Sequence, residues 1–246
     1  MPNLCSVQSA PLRDAETRML MNASRAPFIG FLRRIADATR TRDLILQGGQ
    51  WAYKGALEGN YSLTIMAPEI VRSATSCKLL DLCFNEIKEV PASIEKCTAL
   101  TALRLRKNRV RYVPEGISRV TTLRVLDLGD NDLFALPPET FEGMVRLVDC
   151  DLSGNHLKEL PWSLGECTGL TRLYISSNGL SEVPASLSSL RRLRYLGLGA
   201  NPFGFIPPQL GASPYLTEVM MMMIMMMMMM TTTSMPLESR IPCTKS

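Results

Sequence analysis

Few residues of this chain have the type and spacing for chemistry. The single histidine, His156, directly follows an asparagine in the run Ser153-Gly154-Asn155-His156, and no second histidine is present to complete a metal pair or a nucleophile–base relay. The seven cysteines, Cys5, Cys77, Cys83, Cys97, Cys150, Cys167 and Cys243, contain no Cys-x-x-Cys pair, so the usual zinc spacing is missing. Neither a GxxxxGK[ST] phosphate loop nor a GxGxxG turn occurs. The thioethers of Met220 to Met230, interrupted by Ile224, are soft enough for copper(I), but a homopolymer offers no spaced ligand geometry. The residues point to a protein with no catalytic activity, no cofactor and no metal.

The residue type that does recur at a fixed interval is asparagine. Asn85, Asn108, Asn131, Asn155, Asn178 and Asn201 are separated by 23, 23, 24, 23 and 23 residues, and each closes a frame LxxLxLxxN. An amide at a turn can both donate to and accept from backbone groups that would otherwise be buried without partners, so these six are expected to stack as a structural ladder. The fourth and sixth frame positions, such as Leu103 and Leu105 or Cys150 and Leu152, alternate as in a short strand with one buried face. Cys77 and Cys150 occupy apolar frame positions, so buried, reduced thiols are expected.

The second half of each unit carries Pro91, Pro114, Pro137, Pro161, Pro184 or Pro207, each after Val, Leu or Ile. Proline fixes φ and lacks an amide donor, so no ladder strand passes there. Three or four residues on, Ile94, Ile117, Phe141, Leu164, Leu187 and Leu210 turn an irregular or helical segment inward. A period of this length means an array of coils, each burying its apolar face on the next. The expected fold is an α/β-type solenoid, a horseshoe with parallel concave strands and irregular or helical convex segments.

In its 23-residue unit and LPxxLxxL-like second half, the chain resembles the intracellular leucine-rich repeat family of Ras-suppressor, Scribble-like and plant Ras-group proteins. That resemblance implies a non-catalytic scaffold or adaptor in intracellular signalling, with a protein partner such as a small GTPase or a phosphatase. The alternative is a substrate-targeting subunit of a larger enzyme, for example a ubiquitin ligase or phosphatase.

The expected organisation is a disordered segment over 1–26, a capping helix over 27–40 with arginines opposite Phe28, Leu32 and Ile35, and a degenerate first repeat over 41–76. That repeat carries an inserted loop near Tyr53 to Ser62. Six full repeats span 77–215, and a truncated repeat with the Met-rich tract fills 216–246. No apolar signal region is visible near the start, and the methionine run is too short for a membrane helix of about 20 residues. With the cysteine pattern, this favours the cytoplasm, with the nucleus as the alternative, and no stable membrane anchor.

Net charge is +4, with Lys and Arg spread along the chain, which gives no case for nucleic acid. The expected binding face is the concave one. Frame position five presents Asp81, Arg104, Asp127, Asp151 and Tyr174, and position three adds Asp149, Arg172 and Tyr195. Phe84, Arg106, Arg124 and Arg194 flank these rows. Basic, acidic and aromatic–basic bands thus follow one another along the array, on side chains expected to be exposed and ready for a partner's complementary potential.

Overall fold

A computed structural model of the chain describes residues 43–46, 63, 65–66, 68–203 and 218–220. Eight three-residue strands form one parallel sheet in strict sequence order. They are β1 (Asp43–Ile45), β2 (Leu79–Asp81), β3 (Ala102–Arg104), β4 (Val125–Asp127), β5 (Asp149–Asp151), β6 (Arg172–Tyr174), β7 (Tyr195–Gly197) and β8 (Glu218–Met220). The middle residue of each from β1 to β7 is buried, as period-two alternation requires. Register holds the frame: Leu80 pairs with Leu103, Leu103 with Leu126, and Leu126 with Cys150. Backbone pairing runs on past the strands, with Leu82 N–H donating to Arg104 O at 2.8 Å and Leu105 N–H to Asp127 O at 2.7 Å.

The asparagines stitch the coils together. Asn131 Nδ2 donates to Leu128 O and Gly129 O of its own coil and to Leu105 O of the coil before, each at 3.0 Å, while its Oδ1 accepts Val110 N–H at 3.0 Å. The other five repeat the pattern, down to Leu63 N–H on Asn85 Oδ1 and Leu180 N–H on Asn201 Oδ1. One side chain therefore satisfies four backbone groups in two coils. The amide is needed for both halves of that set, since only it combines donors with an acceptor on so short a side chain.

Directly before each asparagine the backbone is left-handed: φ is 59° at Phe84, 55° at Lys107, 52° at Asp130, 63° at Gly154, 55° at Ser177 and 54° at Ala200. The reversal turns the strand out of the sheet while keeping its amide paired, as when Lys107 N–H donates to Gly129 O at 3.0 Å. Only one of the six is the glycine that this conformation favours.

On the convex side Pro91, Pro114, Pro161 and Pro184 lie just before short 3-10 helices: η1 (Ala92–Lys96), η2 (Glu115–Arg119), η3 (Trp162–Glu166) and η4 (Ala185–Ser189). Each proline has extended φ and ψ, and its carbonyl accepts the amide three residues on. The 24-residue unit differs, because its extra residue replaces the 3-10 helix by consecutive turns from Pro138 to Gly143. Buried Ser163 of the next coil repairs the break, donating from Oγ to Pro138 O and accepting Phe141 N–H at 3.2 Å. Phe141, wholly buried, fills the widened coil.

Before β2, helix α1 (Pro68–Ala74) buries Ile70, Val71 and Ala74, and so serves as the second half of the first coil. The core is one continuous cluster from Leu44 to Leu198. The expected capping helix over 27–40, the inserted loop near Tyr53 to Ser62, Pro207, Leu210 and the methionine tract after Met220 lie outside the described residues.

Candidate protein-binding face

Strand alternation brings the expected rows together on the concave surface. Asp81, Arg104, Asp127, Asp151 and Tyr174 stand in register along one line, and Leu79, Ala102, Val125, Asp149, Arg172 and Tyr195 along another. Arg106 lies two residues beyond β3, Arg124 and Arg194 directly precede β4 and β7, and Phe84 sits on the left-handed turn after β2, half-exposed, with Lys107 Nζ 5.2 Å from its ring centre.

The structure corrects the expectation of uniformly exposed, waiting charges. Asp81 is buried at 2% exposure, and its Oδ1 accepts Cys83 N–H at 3.1 Å. Asp127 Oδ1 accepts Gly129 N–H at 3.2 Å, and Asp151 Oδ1 accepts Ser153 N–H at 2.9 Å together with the Ser153 hydroxyl. These carboxylates brace the exit from the strand. A short side chain bonding the amide two residues on is an Asx-turn, and the runs Asp81-Leu82-Cys83, Asp127-Leu128-Gly129 and Asp151-Leu152-Ser153 carry that signal in the sequence.

The bands also cancel one another. Arg106 reaches across the solenoid to Asp130 at 2.7 Å and Asp151 at 2.6 Å, so one guanidinium from the third coil neutralises carboxylates of the fourth and fifth. Arg172 pairs with Asp149 at 2.8 Å, and Arg104 faces Asp81 at 3.7 Å. Burial works against the Arg106 charge, but Asp151, Asp130 and Asp127 outweigh it and raise its pKa. Hydrogen bonding to Asp149 raises that of Arg172. Asp127, with no ion pair among the described residues, is held above the ordinary carboxylate range by burial and by Asp151, against its bond to Gly129 N–H and the pull of Arg106 and Arg104. Burial also raises the Tyr174 hydroxyl, with Asp149 adding to it.

Among the described residues, no part of this face resembles a reaction centre. A shallow open depression on this face is lined by Asp81, Arg104, Asp127, Asp149, Asp151 and Tyr174. His156 is exposed on its turn, stacked at 5.2 Å on Phe134 and 3.9 Å from Asp132. Cys77, Cys83, Cys97, Cys150 and Cys167 are buried free thiols. Desolvation pushes Cys83 to about 12, Cys97 to about 11 and Cys167 to about 12, and raises Cys150 and Cys77 as well, so all five are poor nucleophiles. No cluster of potential metal ligands occurs among the described residues, and no described helix is long and apolar enough to cross a membrane. Three exposed aromatics stand off the concave rows: Tyr112, Phe134 and Trp162. They follow the ladder or open a 3-10 helix, where the frame prescribes no residue type and so marks no role for them.

Residues 121–180 and 151–203 match the family model of the leucine rich repeat. The coils over residues 121–203 match leucine-rich repeats. No curated protein matches the sequence. Among solved structures, similar chains include a leucine-rich repeat protein of Leptospira interrogans, LIC12759, at 26% identity and TM-score 0.48, with 61% of this chain covered and 44% of that one. The plant peptide hormone receptor RGFR1, solved in complex with RGF2, aligns at 23% identity and TM-score 0.52, covering 62% of this chain and 29% of the receptor. PEPR1, from the PEPR1–AtPEP1 structure, aligns at 26% identity and TM-score 0.53, covering 63% of this chain and 22% of that one. This chain thus spans less than half the length of each.

Proposed function

We propose that the protein is a non-catalytic interaction scaffold that holds a protein partner on its concave face. The observation that carries this reading is the register of the sheet, which lines up Arg104, Tyr174, Arg172 and Tyr195 on one open surface with the flanking Arg124 and Arg194. Eight strands about 4.8 Å apart give that surface a length of roughly 34 Å, on the scale of one side of a standard interface. Tyrosine and arginine on a rigid support suit partner binding, because little side-chain freedom is lost on contact. A small GTPase or phosphatase, as an intracellular signalling partner, is the class supported by the resemblance to the 23-residue repeat family. The five buried thiols support a reducing compartment, the cytoplasm or nucleus.

The test is affinity capture from cell extract with three forms of the chain. In the first variant Arg124→Glu, Arg194→Glu and Tyr195→Ala alter the concave face without touching the bracing aspartates. In the second, Glu115→Lys, Glu139→Lys and Glu142→Lys alter exposed convex positions. Partners retained by wild type and the convex variant but lost from the concave variant are the expected result. Loss from the convex variant alone would move the site to the other side of the solenoid.

A further inference from the structure

Accepting the concave face as the binding surface, we infer that its partner is an acidic, apolar-bearing extended segment, and that this segment docks on β2–β4 rather than along the whole array. Two properties coincide on those three strands and nowhere else among the described coils.

The first is an apolar row. Leu79, Ala102 and Val125 are paired side by side at frame position three, each half-buried. In β5–β7 the same position holds Asp149, Arg172 and Tyr195, so the row stops at β4.

The second is an excess of positive charge. Between Lys78 and Asp130, the concave frame positions carry Lys78, Arg104, Arg106, Lys107 and Arg124 against Asp81, Asp127 and Asp130. Arg106 is committed to Asp130 and Asp151, and Arg104 leans on Asp81. Lys78 and Arg124, both exposed at the entrances of β2 and β4, make no ion pair among the described residues, and Lys107 lies only over the Phe84 ring. Over β5–β7 the corresponding positions carry Arg172 and Arg194 against Asp149 and Asp151, a balanced set.

The apolar row is thus bordered by Lys78 and Arg124 on one side and, on the other, by Arg104 between Asp81, which is buried, and Asp127. A segment whose apolar side chains cover Leu79, Ala102 and Val125 would place flanking carboxylates against Lys78, Arg124 and Arg104, while a basic segment would meet unpaired like charge at Lys78 and Arg124.

The probe is a short fluorescein-labelled peptide in which Glu alternates with Leu and Val. Two counterparts accompany it: Lys in place of Glu, and Ser in place of Leu and Val. Anisotropy titrations use the full chain, its Lys78→Glu/Arg124→Glu double variant and Phe84→Ala, each checked for native circular dichroism. The acidic apolar peptide is expected to bind wild type, to weaken about tenfold or more in the double variant, to weaken less in Phe84→Ala, and to weaken with added salt. Equal or tighter binding of the Lys peptide, equal binding of the Glu/Ser peptide, or indifference to the double reversal would each overturn the inference. If no peptide binds while the concave variant still loses its captured partner, this assignment falls and the concave scaffold stands.

Discussion

At the level of single residues, every ladder asparagine is reached through a left-handed turn. Its φ values of 52° to 63° are imposed by the path of the chain, and Phe84, Lys107, Ser177 and Ala200 comply at a cost, leaving only Gly154 and Asp130 as types that favour it. Opposite outcomes follow at two equivalent positions. Ser177→Gly should stabilise the fold by about 0.5–1 kcal/mol, since the steric penalty removed exceeds the added freedom of the unfolded glycine. Gly154→Ala should destabilise by about 1 kcal/mol or more, because φ is +63° there and the new Cβ would collide with Asp130 Oδ1. Urea denaturation of both variants checks this. A gain for Gly154→Ala would show that the turn does not hold these residues left-handed.

Between elements, the prolines and inward residues of the second half foretold a convex segment, but not its 3-10 character nor how the long unit is accommodated. The frame shows that an extra residue exists between Asn131 and Asn155, and Ser163, whose hydroxyl absorbs it, belongs to the following coil. A serine before Leu164 carries no sequence mark of that duty, since the demand arises only when two coils of unequal length are stacked. Ser163→Ala should leave Phe141 N–H buried without its partner and cost about 1–3 kcal/mol, whereas Ser188→Ala, which removes an exposed bond to Ala185 O, should cost much less. Thermal unfolding of the two variants distinguishes the cases. Equal shifts would mean that the long unit does not depend on its neighbour's hydroxyl.

At the scale of the whole molecule, neighbouring coils of a solenoid hold one another, and Arg106 extends that coupling to a third. Rows assigned from the frame placed it beside Arg104 in a basic band. Its side chain is longer than the coil spacing of about 4.8 Å, so its partners are set by reach rather than by row. Arg106→Gln would leave Asp130 and Asp151 without their ion-pair partner and Asp127 without the cation that lowers its pKa. Without that pull the Asp127 pKa, already above its unfolded value, would rise further, so the native state would bind more protons, and stability would increase as pH falls through the carboxylate range. Because Arg106 is about one-third exposed, the loss at neutral pH should be modest, about 1 kcal/mol, and should shrink on acidification toward about pH 4. Wild type, where Arg106 opposes the upward shift at Asp127, should gain less from the same acidification. Denaturant midpoints at the two pH values provide the measurement. A deficit that stays constant with pH would mean that Arg106 acts through packing alone and does not set the Asp127 pKa.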